Sequence, residues 1–400
     1  MALISFKRTH LIGIDARMYG KEQTGIGIYI EYLIRELAKI DKNNQYFLFM
    51  LEKEYEKFKV PGPNFRKIKV SPPWYSFREQ SFFLKDLLRH RLDLVHFPHF
   101  NYPIFYPRTF VITVHDITPK FFPGHKMGRS WYRRKGYELI LWSLTRKASV
   151  IIVPSLKTKN DLIKHFKADE TKVRVIPEGI RNKKNPKARR ESLRKRTKNK
   201  EKALQEIMRK FNFKDIKRPL LFYTGVWRSH KNLPRLIEAF GILINKYNFR
   251  GTLILGGKED KFYPETRRTW EKLKLGERIL RPGFIGEEFL DLFYQAADVV
   301  VLPSLYEGFG LVPLEALNQA TPVACSDIDP LREILGKAAF YFNPFNPEDI
   351  AAKLWQLLED RRFQEFLLQA SEQVLKKYDW SKTAKETLEV YNKALKEEKG

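Results

Sequence analysis

A chain of 400 residues with 43% hydrophobic content is longer than one core usually organises and apolar enough to bury two, which excludes a disordered tail and predicts two domains. Its 74 Lys and Arg against 47 Asp and Glu leave a net charge of +27, an excess that points to an anionic partner, either nucleic acid or an acidic membrane surface. A single cysteine, Cys325, excludes an intramolecular disulfide and most cysteine-built zinc sites, and no window holds the eighteen or so apolar residues of a spanning helix or the core of a signal peptide.

Short apolar runs alternate with amphipathic stretches along the chain. The periods predict strands over 10–14, 46–51, 66–70, 94–97, 110–114, 150–153 and 173–176, with helices over 27–40, 77–90, 130–146 and 156–166. A second series predicts strands over 220–223, 252–255, 278–280, 298–302, 322–325 and 340–342, with helices over 233–247, 266–274, 288–296, 311–319, 347–358 and 363–377. Continuous runs such as VVVL suit strands covered on both faces, and their alternation with helices implies parallel, doubly wound sheets. The expectation is an α/β chain of two Rossmann-like domains facing a deep cleft, over 1–180 and 211–380. Ser381 is placed to cap a last helix over 381–400, which rejoins the first domain.

Between the domains, residues 181–210 carry 14 basic and 3 acidic side chains and few apolar ones, so the segment is expected to be a flexible, basic insertion. It reads either as a solvated linker or as an electrostatic arm for an anionic surface. Residues 1–180 carry 32 basic and 17 acidic side chains, whereas 211–400 carry 28 and 27. The excess therefore falls on the first half and the insertion.

The most informative segment is ADVVVLPSLYEGFGLVPLEALNQATP. A strand ends near Pro303, a loop holds Glu307, Gly308, Phe309 and Gly310, and a helix starts near Leu311 and carries Glu315. Amides at a glycine-flanked helix start suit a diphosphate, and carboxylates on either side of it could accept from sugar or ribose hydroxyls. Alone, Glu307 could simply cap the helix and Glu315 sit in a surface ion pair. A second segment, LLFYTGVWRSHKNLPRLIEAF, runs a strand into Gly225 and sets Arg228 and Lys231 at the ligand edge of the sheet, where they could grip phosphate; His230 reads as loop surface.

In the first half, Thr24, Gly25 and Gly27 precede a long helix and resemble a phosphate loop, although two glycines may only permit close packing. VITVHDITPKFFP leaves His115 and Asp116 at a strand end; His115 could bond a substrate hydroxyl and Asp116 orient it or bind acceptor, against a structural reading. His96 and His99 also lie near a strand end, but their spacing matches no zinc site, so no metal is expected. Trp74, Tyr75, Phe77, Phe82 and Phe83, then Trp131, Tyr132, Arg133, Arg134 and Lys135, combine large apolar side chains with cations as interfacial helices do, while Leu139, Ile140, Leu141 and Leu144 are expected in the core.

These segments together resemble family 4 glycosyltransferases of the GT-B fold, over nearly the whole chain except 181–210. The resemblance rests on EGFGLVPLE, with its two glutamates seven residues apart, and on RSHKN, TGIG, VHD, VPS, VRVIPEGI and ADVVVLPS. It implies retaining, metal-independent transfer of a mannose-, rhamnose- or glucose-like hexose from a nucleoside diphosphate sugar, with no cofactor, to a saccharide or lipid-linked acceptor, in cell-surface polysaccharide or glycolipid synthesis. Under it, Arg228 and Lys231 would neutralise the leaving diphosphate, and Glu315 would hold the donor ribose. Glu307 with the Gly308 to Leu311 backbone would hold sugar and outer phosphate; His115 would touch the donor sugar. Gly25, Gly27 and Gly225 would border the diphosphate, and Phe284 and Ile285 would offer backbone to the base. Asp116, Trp131 and Tyr132 are candidates for acceptor binding. Glu178 departs from the asparagine that relatives often carry at that turn.

A nucleotide-sugar epimerase shares the layout but matches less at the glutamate motif. A nucleic-acid-binding protein would suit the charge, yet no recognition module is present, so nucleic acid is not expected. The charge instead suggests a protein in the cytoplasm, at the inner face of an acidic membrane, held there by the basic first half and 181–210.

Overall fold

A computed structural model describes residues 8–20 and 24–397, and the chain divides into two compact units. The first comprises Met1–Ile117, Lys126–Gly179 and Asp379–Gly400, and the second Thr118–His125 and Ile180–Tyr378.

The first unit is built on seven parallel strands: β1 (Leu11–Asp15), β2 (Gln45–Leu51), β3 (Phe65–Val70), β4 (Leu94–Phe97), β5 (Phe110–Thr113), β6 (Val150–Val153) and β7 (Val173–Val175). Their spatial order is β3-β2-β1-β4-β5-β6-β7, so the direction of winding reverses between β1 and β4. Every residue of β4, β5 and β6 is buried, as their uninterrupted apolar runs require of strands covered on both faces. The helix Trp380–Glu397 returns to this unit and lies along Thr24–Ile40, Trp380 stacking on Tyr32 at 5.2 Å. Thr383 donates to the Pro177 carbonyl at 2.7 Å, and a Cβ on Gly179 would lie 2.3 Å from the Trp380 nitrogen, so only glycine fits there. Asp379 rather than Ser381 supplies the cap: its carboxylate accepts from the Ser381 amide at 3.0 Å. The helix expected over 77–90 is one helical run that contains a π-helical turn, Glu79–Phe83, before Leu84–Arg89.

The second unit has six parallel strands: β8 (Leu220–Thr224), β9 (Thr252–Gly256), β10 (Ile279–Gly283), β11 (Val299–Leu302), β12 (Val323–Ser326) and β13 (Phe340–Phe342), in the order β10-β9-β8-β11-β12-β13. The winding reverses between β8 and β11, where Val299 pairs with Leu221 and Val300 with Phe222.

Residues 181–210 are not a flexible insertion. They form helices Pro186–Arg194 and Arg196–Phe211, the first capped by Asn185, whose side chain accepts from the Ala188 amide at 2.8 Å. Ala203 and Ile207 enter the core of the second unit. Two cations are buried on the way: Arg189 donates to the Leu368 carbonyl at 3.1 Å, and the Lys200 ammonium meets Asp298 at 2.8 Å. Burial lowers Lys200 to about 8, against the pull of Asp298. Asp298 also accepts from the Leu220 amide at 2.7 Å, so one carboxylate ties this helix to the first residue of β8 and the approach to β11. The first unit's internal segment ends at Gly179, and the second unit continues from Ile180 rather than starting at 211. With these helices assigned to the second unit, the net charges of the two units become +14 and +13, and the excess no longer sits on one side.

Candidate active site

In open parallel sheets, ligand loops leave the C-terminal strand ends where the winding reverses. In the second unit that point lies between β8 and β11, and the two loops emerging there are the two the motifs single out. The β8 loop carries Gly225, Arg228 and Lys231; the β11 loop carries Glu307 to Gly310 and enters the helix Leu311–Asn318. Backbone and side-chain bonds stitch them together. The Leu305 amide donates to the His230 carbonyl at 2.7 Å, and the Asn232 amide group donates to the Pro303 and Pro344 carbonyls at 3.0 and 2.7 Å. Asn232 takes a left-handed conformation, φ 58°, which turns the chain into the helix Leu233–Tyr247.

Lys231 donates to Glu307 Oε1 at 2.7 Å, and both side chains are largely buried. Burial alone would raise the Glu307 carboxyl, but the Lys231 charge and hydrogen bond outweigh it and hold it below the usual glutamate range. Arg228 is exposed beside this pair. His230, expected on the loop surface, is buried, and desolvation followed by the Lys231 charge lowers it to about 4, leaving a neutral ring. Gly310 sits at φ 110° before the helix Leu311–Asn318, and a Cβ there would meet Leu331 at 2.8 Å. Gly308 and Phe309 are buried.

Glu315 lies one turn into that helix, buried, with both oxygens engaged: Oε1 accepts from Arg181 Nε at 3.1 Å and Oε2 from the Tyr294 hydroxyl at 2.9 Å. Arg181 continues to the Glu287 carbonyl at 2.8 Å and Asp291 at 3.5 Å. Burial raises the Glu315 carboxyl above the glutamate range despite Arg181. Arg181, read from sequence as the first residue of a linker, is thus the residue that orients one of the two motif glutamates. Nothing in its basic surroundings distinguished it. The Gly256–Gly257 pair at the end of β9 was also missed, though a GG dipeptide at a strand end is a legible sign. Gly257, at φ 111°, lies so close to the Gly225 carbonyl that a Cβ would approach it to 1.9 Å. Phe284, exposed, and Ile285, buried, follow β10 on the same edge.

In the first unit, His115 follows β5 and is held at both nitrogens, Nδ1 to Glu178 at 2.8 Å and Nε2 to the Pro98 carbonyl at 2.9 Å. Burial would lower its pKa, but the Glu178 hydrogen bond and charge outweigh that and hold it above the ordinary histidine value, which favours the doubly protonated ring that two acceptors can both receive from. The departure at Glu178 is therefore the partner of His115. His96, next to last in β4, is fully buried between the Tyr391 hydroxyl at 2.6 Å and Thr113 at 2.8 Å; burial pushes it down to about 3. Gly25 and Gly27 lie within the first turn of Thr24–Ile40 rather than in a loop before it. Asp116 is half-buried beside His115, whereas Trp131 and Tyr132 stand exposed on the first turn of Trp131–Lys147. At the reversal between β1 and β4, Arg17 is buried against Asp15, with Nη2 to Oδ2 at 2.7 Å, and against Glu79. A small cavity beside it is lined by Met18, Trp74, His99 and Asn101. Among the described residues, no group of three or more His, Cys, Asp and Glu side chains is arranged to hold a metal ion.

Two family models match: "Glycosyltransferase Family 4" over residues 23–183 and "Glycosyl transferases group 1" over 205–374. The uncharacterized glycosyltransferase MJ1607 of Methanocaldococcus jannaschii is 31% identical over 255 residues, 63% of this chain and 62% of the relative. The O-antigen chain mannosyltransferase B of Escherichia coli is 31% identical over 172 residues, 42% of this chain and 44% of the relative. These matches thus span less than two thirds of each relative's length. Among solved structures, that of Anabaena HepE in complex with UDP and glucose superposes with TM-score 0.71 at 16% identity, covering 96% of this chain and 100% of that one, a likeness of fold. With both units matched in chain order and the two parallel sheets in place, the chain belongs to the family 4, group 1 glycosyltransferases, and its fold is GT-B.

Proposed function

We propose that the chain transfers a mannose-, rhamnose- or glucose-like hexose from a nucleoside diphosphate sugar to a saccharide or lipid-linked acceptor, with retention at the anomeric carbon and without a metal ion. The observation that carries this reading is the Lys231–Glu307 pair beside Arg228 and the Gly310-led helix start, all at the winding reversal of the second sheet. Its similarity to a mannosyltransferase, and a fold shared with a protein solved with UDP and glucose, support a hexose donor.

The chemistry follows from charge. As the bond from the anomeric carbon to the diphosphate breaks, negative charge develops on the leaving oxygen. Preorganised cations and amides stabilise that charge more than the ground state, which is what accelerates a reaction. Arg228 and Lys231 are the cations, and the Leu311–Asn318 helix start supplies amides. Glu307, held ionised, accepts hydrogen bonds from donor hydroxyls rather than giving a proton. The acceptor oxygen bonds to the anomeric carbon on the face the diphosphate leaves, and its proton passes to the departing phosphate, so no second carboxylate nucleophile is needed. Arg181 fixes Glu315 for the ribose.

The test is incubation with GDP-mannose, UDP-glucose and related donors plus a saccharide acceptor, in the presence of EDTA, with product anomers read by NMR. Retained anomeric configuration in the transferred sugar supports the proposal; free nucleotide with no transfer to acceptor, or an inverted product, overturns it.

A further inference from the structure

The first unit carries an exposed aromatic face that neither sheet uses. On the helix Trp131–Lys147, the residues Trp131, Lys135, Leu139, Trp142 and Arg146 follow at steps of four, four, three and four, so they share one face. That face is open: Trp131 is 78% exposed, Leu139 49% and Trp142 50%. Leu139, expected in the core, points outward with them, while Tyr137, Leu141 and Leu144 take the buried side. The helix holds five cations against one carboxylate, Glu138.

Neighbouring segments extend the face. Lys147 donates to the Ile104 carbonyl at 2.8 Å, which brings Phe105, 68% exposed, beside the end of the helix. Gln80 bonds the Tyr102 carbonyl at 3.0 Å and the Ile104 amide at 2.8 Å, tying the π-helical turn, with its exposed Phe82 and the exposed Phe77 just before it, to the same loop. Most of the rings have a cation at hand: Arg146 lies 4.2 Å from the Trp142 ring, Arg78 5.6 Å from Phe82, and Lys147 6.0 Å from Phe105. Isolated exposed rings are ordinary surface, but several on contiguous elements with interleaved cations form a patch that water solvates poorly.

We infer that this face of the first unit is a docking surface for an anionic lipid bilayer, with Trp131, Trp142 and Phe105 entering the headgroup boundary and Arg146, Lys147 and the Arg133 to Lys135 run meeting lipid phosphates. The charge selects the occupant: apolar insertion plus electrostatic attraction is the composition of surface-bound helices, and acidic lipid adds a favourable contribution for each cation near it. No helix of the described residues is long and apolar enough to cross a bilayer, so this contact is lateral. The inference rests on the reading of a lipid-linked acceptor, and it narrows the contact expected on the first half and 181–210 to this one face. Helices 186–211, whose basic run prompted the earlier expectation of an arm, have no exposed aromatic among them.

The experiment pellets the full chain with vesicles of phosphatidylglycerol and phosphatidylcholine in equal parts, and with phosphatidylcholine alone. Phe105→Ser with Trp142→Ser should weaken binding to the anionic vesicles about tenfold or more, since each removes a membrane-buried ring. A control set, Lys187→Ser, Lys198→Ser and Lys202→Ser, should bind as the parent does. Both sets change exposed positions, and unaltered thermal melting verifies that they fold. The inference is overturned if the parent fails to pellet, pellets equally with phosphatidylcholine alone, loses binding in the control set instead, or forms dimers that the Phe105 and Trp142 changes dissolve. Calorimetry with UDP and GDP is run in parallel. Vesicle binding without nucleotide binding sinks the catalytic reading alone, and nucleotide binding without vesicle binding sinks only this one.

Discussion

Arg181 offers the sharpest perturbation. Its guanidinium is almost fully buried and is bonded to Glu315, a buried carboxylate whose other oxygen accepts from the Tyr294 hydroxyl. Arg181→Met keeps the stem and removes the charge. Breaking a buried pair by deleting one partner costs about 3–5 kcal/mol, because the remaining charge is left uncompensated. The Tyr294 hydroxyl still donates at 2.9 Å, so the lower end, about 3 kcal/mol, is expected. For a unit of about 200 residues this corresponds to a fall in Tm on the order of 10 °C. The loss also depends on pH. Glu315 already titrates above its unfolded value, so the folded state binds its proton more readily and the cost of the ionised form grows as pH rises through and above the unfolded value. Without Arg181 that cost grows further, and the variant should be closer to the parent at pH 5 than at pH 8. Adding Glu315→Gln should recover most of the stability, since a neutral amide needs no counter-charge. Urea unfolding of the three proteins at both pH values is the assay. A single variant as stable as the parent at pH 8, or a double variant no more stable than the single, refutes the reasoning.

Other expectations follow from the same geometry. Arg228→Ala should lower turnover about 10²-fold or more while changing stability by less than about 0.5 kcal/mol, because the side chain is exposed; a steady-state assay beside a melting curve separates the two. Lys231→Ala should lower turnover similarly and also raise the Glu307 pKa, seen as an acidic limb of the pH–rate profile moving toward neutrality. His115 has a folded pKa above its unfolded value, so the stability contributed by Glu178 is fully present below about pH 6.5 and is lost as pH rises through the folded value. Glu178→Gln should therefore destabilise more at pH 5.5 than at pH 9, measured by urea unfolding. Finally, trypsin should not cut first within 186–211 despite the density of lysine and arginine there; rapid cleavage confined to that segment would contradict the packed helices.

The parallel sheets were legible because strands buried on both faces must be written as uninterrupted apolar runs, and VVVL or VIIV admits few other readings. The site was legible where backbone conformation demands a residue type, as Gly310 does, and where charge is placed at a strand end, as with Lys231 and Glu307. What escaped was whatever depended on a partner distant in sequence. Arg181 and Arg189 look like any cations in a basic run until Glu315 and Leu368 are placed beside them. Lys200 reads as solvated because nothing local reveals that Asp298 waits 98 positions on. The helices of 186–211 were hidden by dilution, since Ala203 and Ile207 carry their burial amid so many charges. Leu139 fails in the opposite sense: an apolar residue reads as core, and the helix phase turns it to solvent.

The account stands or falls on the Lys231–Glu307 site. The most direct measurement is single-turnover transfer from a nucleoside diphosphate hexose to a saccharide acceptor by the parent and by Lys231→Ala. The account predicts transfer by the parent that is slowed about 10²-fold or more in the variant, with the donor still bound. Equal rates for the two would contradict it.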